Sequence, residues 1–268
     1  MNDESLNNNI SEKPPLSGEV WRGLYTLHLA DNSLIMGHRL SEWTGHGPIL
    51  EHDIAISNIA LDLIGQSRNF YQYAAQLKGA DVTEDDLAYL RDAEEFKNII
   101  LTELPNGDWA KTILKLFFFS SYQFYLYQQL INSTDKQLSA IAEKSLKEVT
   151  YHVRWSSEWV IRLGDGTEES HNRIQAALDE LWMYTNEMFT PADFEKQVVE
   201  NNIGVDVESL KAPWENKVNE VLSEATLKFV ATNQFIDHSG KQGKHTEHLQ
   251  QILNEMQYLQ RTYPGCEW

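Results

Sequence analysis

Helical periodicity runs through almost all of the 268-residue chain and limits the possible folds more than any other feature. Apolar residues recur at spacings of three and four, and the seven prolines fall at the edges of these periodic segments. An Asn-Gly pair, Asn106-Gly107, stands just before a helical pattern and is therefore interpreted as a loop, not a hairpin turn. The pattern predicts an all-α fold.

The periodic segments predict a flexible tail over residues 1–17 and a single helical domain over residues 18–268. Four long helices are expected at about 18–43, 50–78, 108–131 and 134–163, with shorter ones near 83–95, 167–187, from Pro191, and at 214–229 and 246–263. The second helix is apolar on more than one side, which predicts a central, buried helix. The arrangement indicates a ferritin-like, ribonucleotide-reductase-like four-helix bundle with additional C-terminal helices.

Charge and cysteine content exclude several classes of function. The chain has 40 acidic and 22 basic side chains, a formal charge of −18, which disfavours binding to nucleic acid or an anionic membrane. The polar first residues are not typical of a signal peptide, and the apolar run 114–119 is too short to span a bilayer. The single cysteine, Cys266, fits a reducing compartment, so a cytoplasmic location is expected.

Bundles of this kind often hold two iron ions, which need a Glu from each of two helices and a Glu-x-x-His from each of the other two. In the second helix, Leu63 and Gln66 stand where the acid and the histidine would be required. In the fourth helix, Val149 precedes His152 by three residues, and Glu148 precedes it by four. The spacing therefore favours a histidine anchored by Glu148 over a metal-binding motif.

The third helix is the strongest sign against a metal site, because residues 109–134 contain no Asp or Glu. A bundle helix without a carboxylate cannot supply its share of a di-iron centre. Its aromatic residues, including Phe117, Phe119 and Tyr122, are typical of core and interface packing. Asp62 and Asn58 in the second helix are interpreted as members of a buried polar network.

Other groups of possible ligands remain as alternatives. Asp31, His38 and Glu42 share one stripe of the first helix, which indicates either a ligand set or, as we prefer, a polar stripe facing other helices. A self-sufficient metal site would combine Asp31, His38, Asp62, Glu148 and His152. Two further sets are assigned other roles. In Glu168-x-x-His171, the acid is interpreted as a negative charge favoured at the start of a helix, and His238, His245 and His248 are assigned to a flexible, solvated or partner-contacting loop.

Four segments carry a resemblance to a known family. They are Leu29–Arg68, Leu104–Ile113, Lys144–Trp182 and Gly243–Arg261, in that order along nearly the whole chain after the tail. Together they resemble the family of C subunits of bacterial ring 1,2-phenylacetyl-CoA epoxidases.

The resemblance implies a ferritin-like subunit of an NADPH- and O2-dependent monooxygenase complex in aerobic phenylacetate catabolism. In that family a related A subunit holds the di-iron site, and a separate reductase carries FAD and an iron–sulfur cluster. The C subunit is a structural partner without a catalytic site, cofactor or metal of its own, in a heterodimer that joins a larger oligomer with further small subunits. The implied degenerate ligand positions are Leu63, Gln66, Val149 and His152. The alternative from another class is a self-sufficient, metal-dependent oxygenase.

Overall fold

The structure of the chain, a computed structural model, describes residues 18–229 and 239–266. Every regular element within these ranges is helical, so the all-α prediction is confirmed for the described part of the chain. The predicted tail, residues 1–17, and His238 lie outside the described residues.

Four long helices dominate, and their bounds lie close to the predicted ones. They are α1 (Gly18–Ser41), α2 (Leu50–Lys78), α5 (Trp109–Leu130) and α6 (Lys136–Gly164), with the short helices α3 (Glu84–Tyr89) and α4 (Ile100–Glu103) between the two pairs. The single helix predicted near residues 83–95 is wrong, because α3 ends at Tyr89 and a separate 3-10 turn covers Ala93–Glu95.

The second half of the chain adds shorter helices. They are α7 (Glu168–Leu181), α8 (Asp193–Glu200), α9 (Lys211–Glu224), α10 (Glu247–Met256) and α11 (Tyr258–Thr262). A 3-10 turn, Val207–Leu210, leads directly into α9, and the helix predicted to reach residue 229 ends at Glu224. Within the described ranges, none of the helices combines the length and the apolarity that crossing a membrane requires.

Aspartate and threonine side chains define where the helices begin. Asp108 accepts a hydrogen bond from the Lys111 amide at the start of α5, and Thr167 accepts one from Ser170 at the start of α7. Asp135 accepts from two amides at the start of α6 and also from Tyr73 of α2. Asp135 therefore joins the two helix pairs as well as capping one helix.

The core lies around α5. The consecutive residues Phe117, Phe118 and Phe119 are all fully buried, because α6, α7 and α9 surround this helix. Trp214 of α9 is buried against them and donates its indole N–H to the carbonyl of Phe118 at 3.0 Å. Each such aromatic side chain contributes about 1.5–3 kcal/mol by burial, and the prediction that this segment forms core packing is confirmed.

The prediction that α2 is buried on all sides is wrong. Ile56, Ile59 and Leu63 are fully buried, but Leu50 and Leu61 are 71% and 68% exposed. The long helix α1 covers one side of α2, and α6 contacts another. The remaining side keeps apolar residues at the surface, which the periodicity alone does not distinguish from a core-facing stripe.

The prediction of a flexible, solvated loop around residues 239–245 is also wrong. Lys241 is 2% exposed, and its ammonium group lies 2.9 Å from Glu195 of α8. His245 places Nδ1 2.7 Å from Glu103 and Nε2 3.0 Å from the carbonyl of Phe96. These polar side chains are buried because each reaches an acid far away in the sequence.

Both ring nitrogens of His245 face acceptors, so the doubly protonated imidazolium satisfies both. Burial lowers the pKa of His245, but the hydrogen bond and the charge of Glu103 outweigh it, and the pKa lies above 6.5. A raised pKa in the folded state means that this group stabilises the fold below pH 6.5 and that the contribution is lost as the pH rises through the folded-state pKa.

We expect an NMR titration to show a lower pKa for His245 in Glu103→Gln than in the wild type, since the substitution removes the carboxylate charge. Glu247→Gln, which removes an exposed acid two residues from His245, is the matched control and should leave the titration unchanged. An equal response to both substitutions would show that the Glu103 contact does not set the pKa.

Candidate functional site

The candidate site lies where α2 and α6 meet inside the bundle. His52 of α2 contacts Trp159 of α6, with 4.0 Å between ring centroids. Farther along α2, Gln66 bonds to Glu148. Residue numbers rise along α2 as they fall along α6, so the two helices are antiparallel and present their side chains to each other at matching levels.

A polar network crosses the bundle at the level of Gln66. Its amide nitrogen donates to Glu148 at 2.9 Å, and its amide oxygen lies 3.4 Å from the hydroxyl of Tyr127 on α5. Gln123 of α5 lies 3.2 Å from Tyr127 and 3.4 Å from Ser33 of α1. All four long helices therefore contribute to one set of hydrogen bonds, in which Oε1 of Gln123 is the only buried polar atom without a partner among the described residues.

His152 pairs with a different carboxylate from the one predicted. Its Nε2 lies 3.0 Å from Asp62 of α2, while the predicted partner, Glu148, accepts from Gln66. The imidazole is fully buried, and Nδ1 has no hydrogen-bond partner among the described residues. Asp62 thus belongs to the polar contacts between α2 and α6, but Asn58 is exposed, and its predicted place in a buried network is wrong.

Asp31 is held in a separate cluster. Its carboxylate forms an ion pair with Arg91, accepts from Tyr71 and accepts from the backbone amide of Lys97 at 2.7 Å. Burial, the charge of Asp31 and its hydrogen bond raise the pKa of Tyr71 well above 10.0. The carboxylate is fully buried with these donors around it, so it is part of an ion-pair cluster near the middle of α1.

The remaining predicted residues take separate positions. Glu42 is paired with Arg39 at 2.7 Å and is 47% exposed, and His38 is half-buried, where desolvation lowers its pKa. Asp31, His38 and Glu42 therefore do not act as one set. In α7, Glu168 is exposed in the first turn and His171 lies 2.7 Å from the carbonyl of Gly164, as expected for residues at a helix start.

The donor set between the helices does not fit a di-iron centre. Among residues 18–229 and 239–266, no three or more His, Cys, Asp and Glu side chains are grouped so as to hold a metal ion. At the level of the polar network, Leu63 and Val149 are fully buried aliphatic residues, and α5 presents Gln123 and Tyr127. An amide and a phenol do not replace the carboxylates that balance the charge of two irons.

Sequence reasoning missed the two α5 members of the network. Gln123 and Tyr127 are four residues apart, so they share one face of α5, and this spacing was a usable signal. Arg91, the partner of Asp31, had no such signal, because it lies in a short connection 60 residues away in the sequence.

Replacing Gln66 with leucine should lower the free energy of unfolding by about 1–3 kcal/mol, because Glu148 and Tyr127 lose a partner inside the bundle. Gln72→Leu is the matched control: it removes a glutamine–glutamate bond at 3.0 Å between half-buried side chains nearer the surface, and should cost less than about 1 kcal/mol. Urea denaturation measures both values. Equal losses of unfolding free energy in the two variants would contradict the idea that burial strengthens the hydrogen bonds of Gln66.

The sequence of this chain matches known proteins along most of its length. Residues 22–268 match the model of the family described as phenylacetic acid catabolic protein. The chain is also 46% identical, over 244 residues, to the C subunit of the 1,2-phenylacetyl-CoA epoxidase of Escherichia coli (strain K12); the match covers 91% of this chain and 98% of that protein. The resemblance seen in the sequence is confirmed: this chain belongs to the phenylacetic acid catabolic protein family.

Proposed function

We propose that this chain is the structural C-type subunit of a 1,2-phenylacetyl-CoA epoxidase and takes part in aerobic phenylacetate catabolism. The support is its 46% identity to a protein of that name and its family membership. In this proposal the chain pairs with a related A subunit, which contains the di-iron site, and helps to stabilise it within a larger cytoplasmic oligomer. FAD, the iron–sulfur cluster and NADPH belong to the reductase of the complex.

The observation that carries the structural role is the bond between Gln66 and Glu148. Glu148, a half-buried carboxylate between α2 and α6, accepts from the side-chain amide of Gln66, and Tyr127 lies beside the same amide. Hydrogen bonds between protein side chains thus link α1, α2, α5 and α6 in the bundle interior, where ferritin-like bundles hold metal ions. We propose that Leu63, Gln66, Val149 and His152 mark a degenerate site of this kind.

We also propose that residues 18–268 form one ferritin-like domain. The two long antiparallel helix pairs support this, because α1 packs on α2, α5 packs on α6, and the pairs meet between α2 and α6. The later helices add to this bundle: α7 and α9 pack on α5 and α6, and α8 packs on α1.

Elemental analysis tests the assignment. The chain expressed alone in iron-replete cells should contain well below one iron per chain. When the A-type homologue is co-expressed, the two should elute together with iron in the complex. About two irons per chain without the partner would show that the chain is an oxygenase in its own right. Separate elution of the two purified chains would rule out the structural role.

A further inference from the structure

One face of the bundle exposes apolar side chains in a row. On α2 and the residue before it, Ile49, Leu50, Ile54 and Leu61 are 50%, 71%, 52% and 68% exposed. Leu50, Ile54 and Leu61 are four and seven residues apart, so they form one stripe along the helix. These four residues are called the α2 face.

Tryptophans lie behind one end of the α2 face. His52, between Leu50 and Ile54, contacts Trp109 and Trp159 at ring-centroid distances of 5.5 and 4.0 Å. Trp155 joins the same cluster and is half-buried, as are Trp109 and Trp159. Because His52 is two residues from both Leu50 and Ile54, it lies on the opposite side of α2, and these aromatic side chains support the exposed face from behind.

The same helix contains a glycine that contacts with the rest of the described chain do not require. Gly65 is exposed in the middle of α2, one turn after Leu61, and a Cβ added there would meet nothing within 4 Å. Glycine is unfavourable inside a helix relative to alanine, and here no neighbouring residue of the described ranges requires it. A partner that approaches the α2 backbone closely would require a residue without a side chain.

Charge selects the class of partner. A second copy of the chain would bring together two proteins of formal charge −18, which opposes association. The rim of the α2 face carries carboxylates, with Glu51 exposed and Asp62 38% exposed beside Leu61. A less acidic protein that presents basic side chains around an apolar centre is complementary to this surface.

We propose that the α2 face is the surface on which this chain docks the A-type catalytic subunit of the epoxidase. The inference rests on the proposed function and deepens it by naming the residues in contact. The partner covers Leu50, Ile54 and Leu61, approaches the backbone at Gly65, and places basic side chains against Glu51 and Asp62.

Binding of variants to the purified A-type homologue tests the α2 face. Leu61→Arg and Ile54→Arg should each weaken binding at least about tenfold. Each removes an aliphatic contact that becomes buried in the complex, and each introduces a charge there. Leu259→Arg is the matched control: Leu259 is a 46% exposed leucine on α11, and its substitution should leave the affinity unchanged. All three side chains are exposed, so the melting temperatures should stay near that of the wild type.

Gly65→Leu separates docking from folding. Leucine is a good helix former, so the free chain should melt at the same temperature or higher, yet its binding to the A-type homologue should weaken. If Leu61→Arg and Gly65→Leu both bound the A-type homologue with wild-type affinity, the α2 face would not be the docking surface, while the proposed function would remain intact. A wild-type chain that does not bind the A-type homologue would overturn both. Light scattering tests the choice of partner. If the wild-type chain self-associates and Leu61→Arg abolishes this, the α2 face binds a second copy of the chain and the choice of partner is wrong.

Discussion

Lys241→Met should lower the free energy of unfolding by about 3–5 kcal/mol, because it leaves the carboxylate of Glu195 buried without its cation. The ammonium group lies 3.1 and 2.9 Å from the two carboxylate oxygens, and both side chains are 1% exposed. It also donates to the carbonyls of Met188 and Thr190. Methionine fills a similar volume, so the loss reports the charge and the hydrogen bonds.

Denaturant unfolding of a double-mutant cycle measures this effect. Glu195→Leu combined with Lys241→Met removes both charges and should recover much of the stability lost in Lys241→Met alone. Lys244→Met, at an exposed lysine three residues further on, is the control and should stay within about 0.5 kcal/mol of the wild type. If Lys241→Met behaved like Lys244→Met, the buried ion pair would have no part in holding residues 239–266.

Asp31→Asn should be almost as destabilising, with an expected loss of about 3–5 kcal/mol. The substitution keeps the shape of the side chain but removes the charge that compensates Arg91, which is 5% exposed. It also weakens the acceptor for Tyr71 and for the Lys97 amide. The cluster joins α1 to α2 and to the connection before α4, so the loss should appear in global unfolding.

Asp92→Asn is the matched control for this second substitution. Asp92 also pairs with an arginine, Arg261, at 3.0 Å, but the side chains are 70% and 41% exposed. An exposed pair of this kind contributes less than about 1 kcal/mol. Thermal melts and urea curves compare the two variants. A loss in Asp31→Asn no larger than in Asp92→Asn would contradict the assignment of Asp31 to a structural cluster.

The long helices could be predicted from the sequence because each depends on local information. Apolar spacing and capping residues place α2 at Leu50–Lys78, as predicted, and place α5 within a residue of its predicted bounds. Spacing within α2 likewise singles out Leu63 and Gln66, and the structure shows both side chains buried. Such features require knowledge of one helix and its neighbours in sequence only.

The partners of buried charged residues could not be predicted in this way. Arg91 reaches Asp31, and His245 reaches Glu103, across 60 and 142 residues of sequence. A spacing pattern contains no information about contacts at such separations. The sequence also could not predict the solvent-facing side of α2. Leu50 and Leu61 are apolar, as core residues are, but no described element of this chain covers them.

Lys241 and His245 follow all four long helices in the sequence, and this order has a consequence for synthesis on the ribosome. The helix pairs α1–α2 and α5–α6 are each contiguous in sequence, so they can form while translation continues. Glu103 and Glu195 are translated before their cations, because Lys241 and His245 follow all four long helices in the sequence. Nascent chains therefore carry two interior carboxylates without these cations until residues 241 and 245 have been translated. A premature stop codon before Lys241 should yield a product that cellular proteases remove, even though all four long helices have been made.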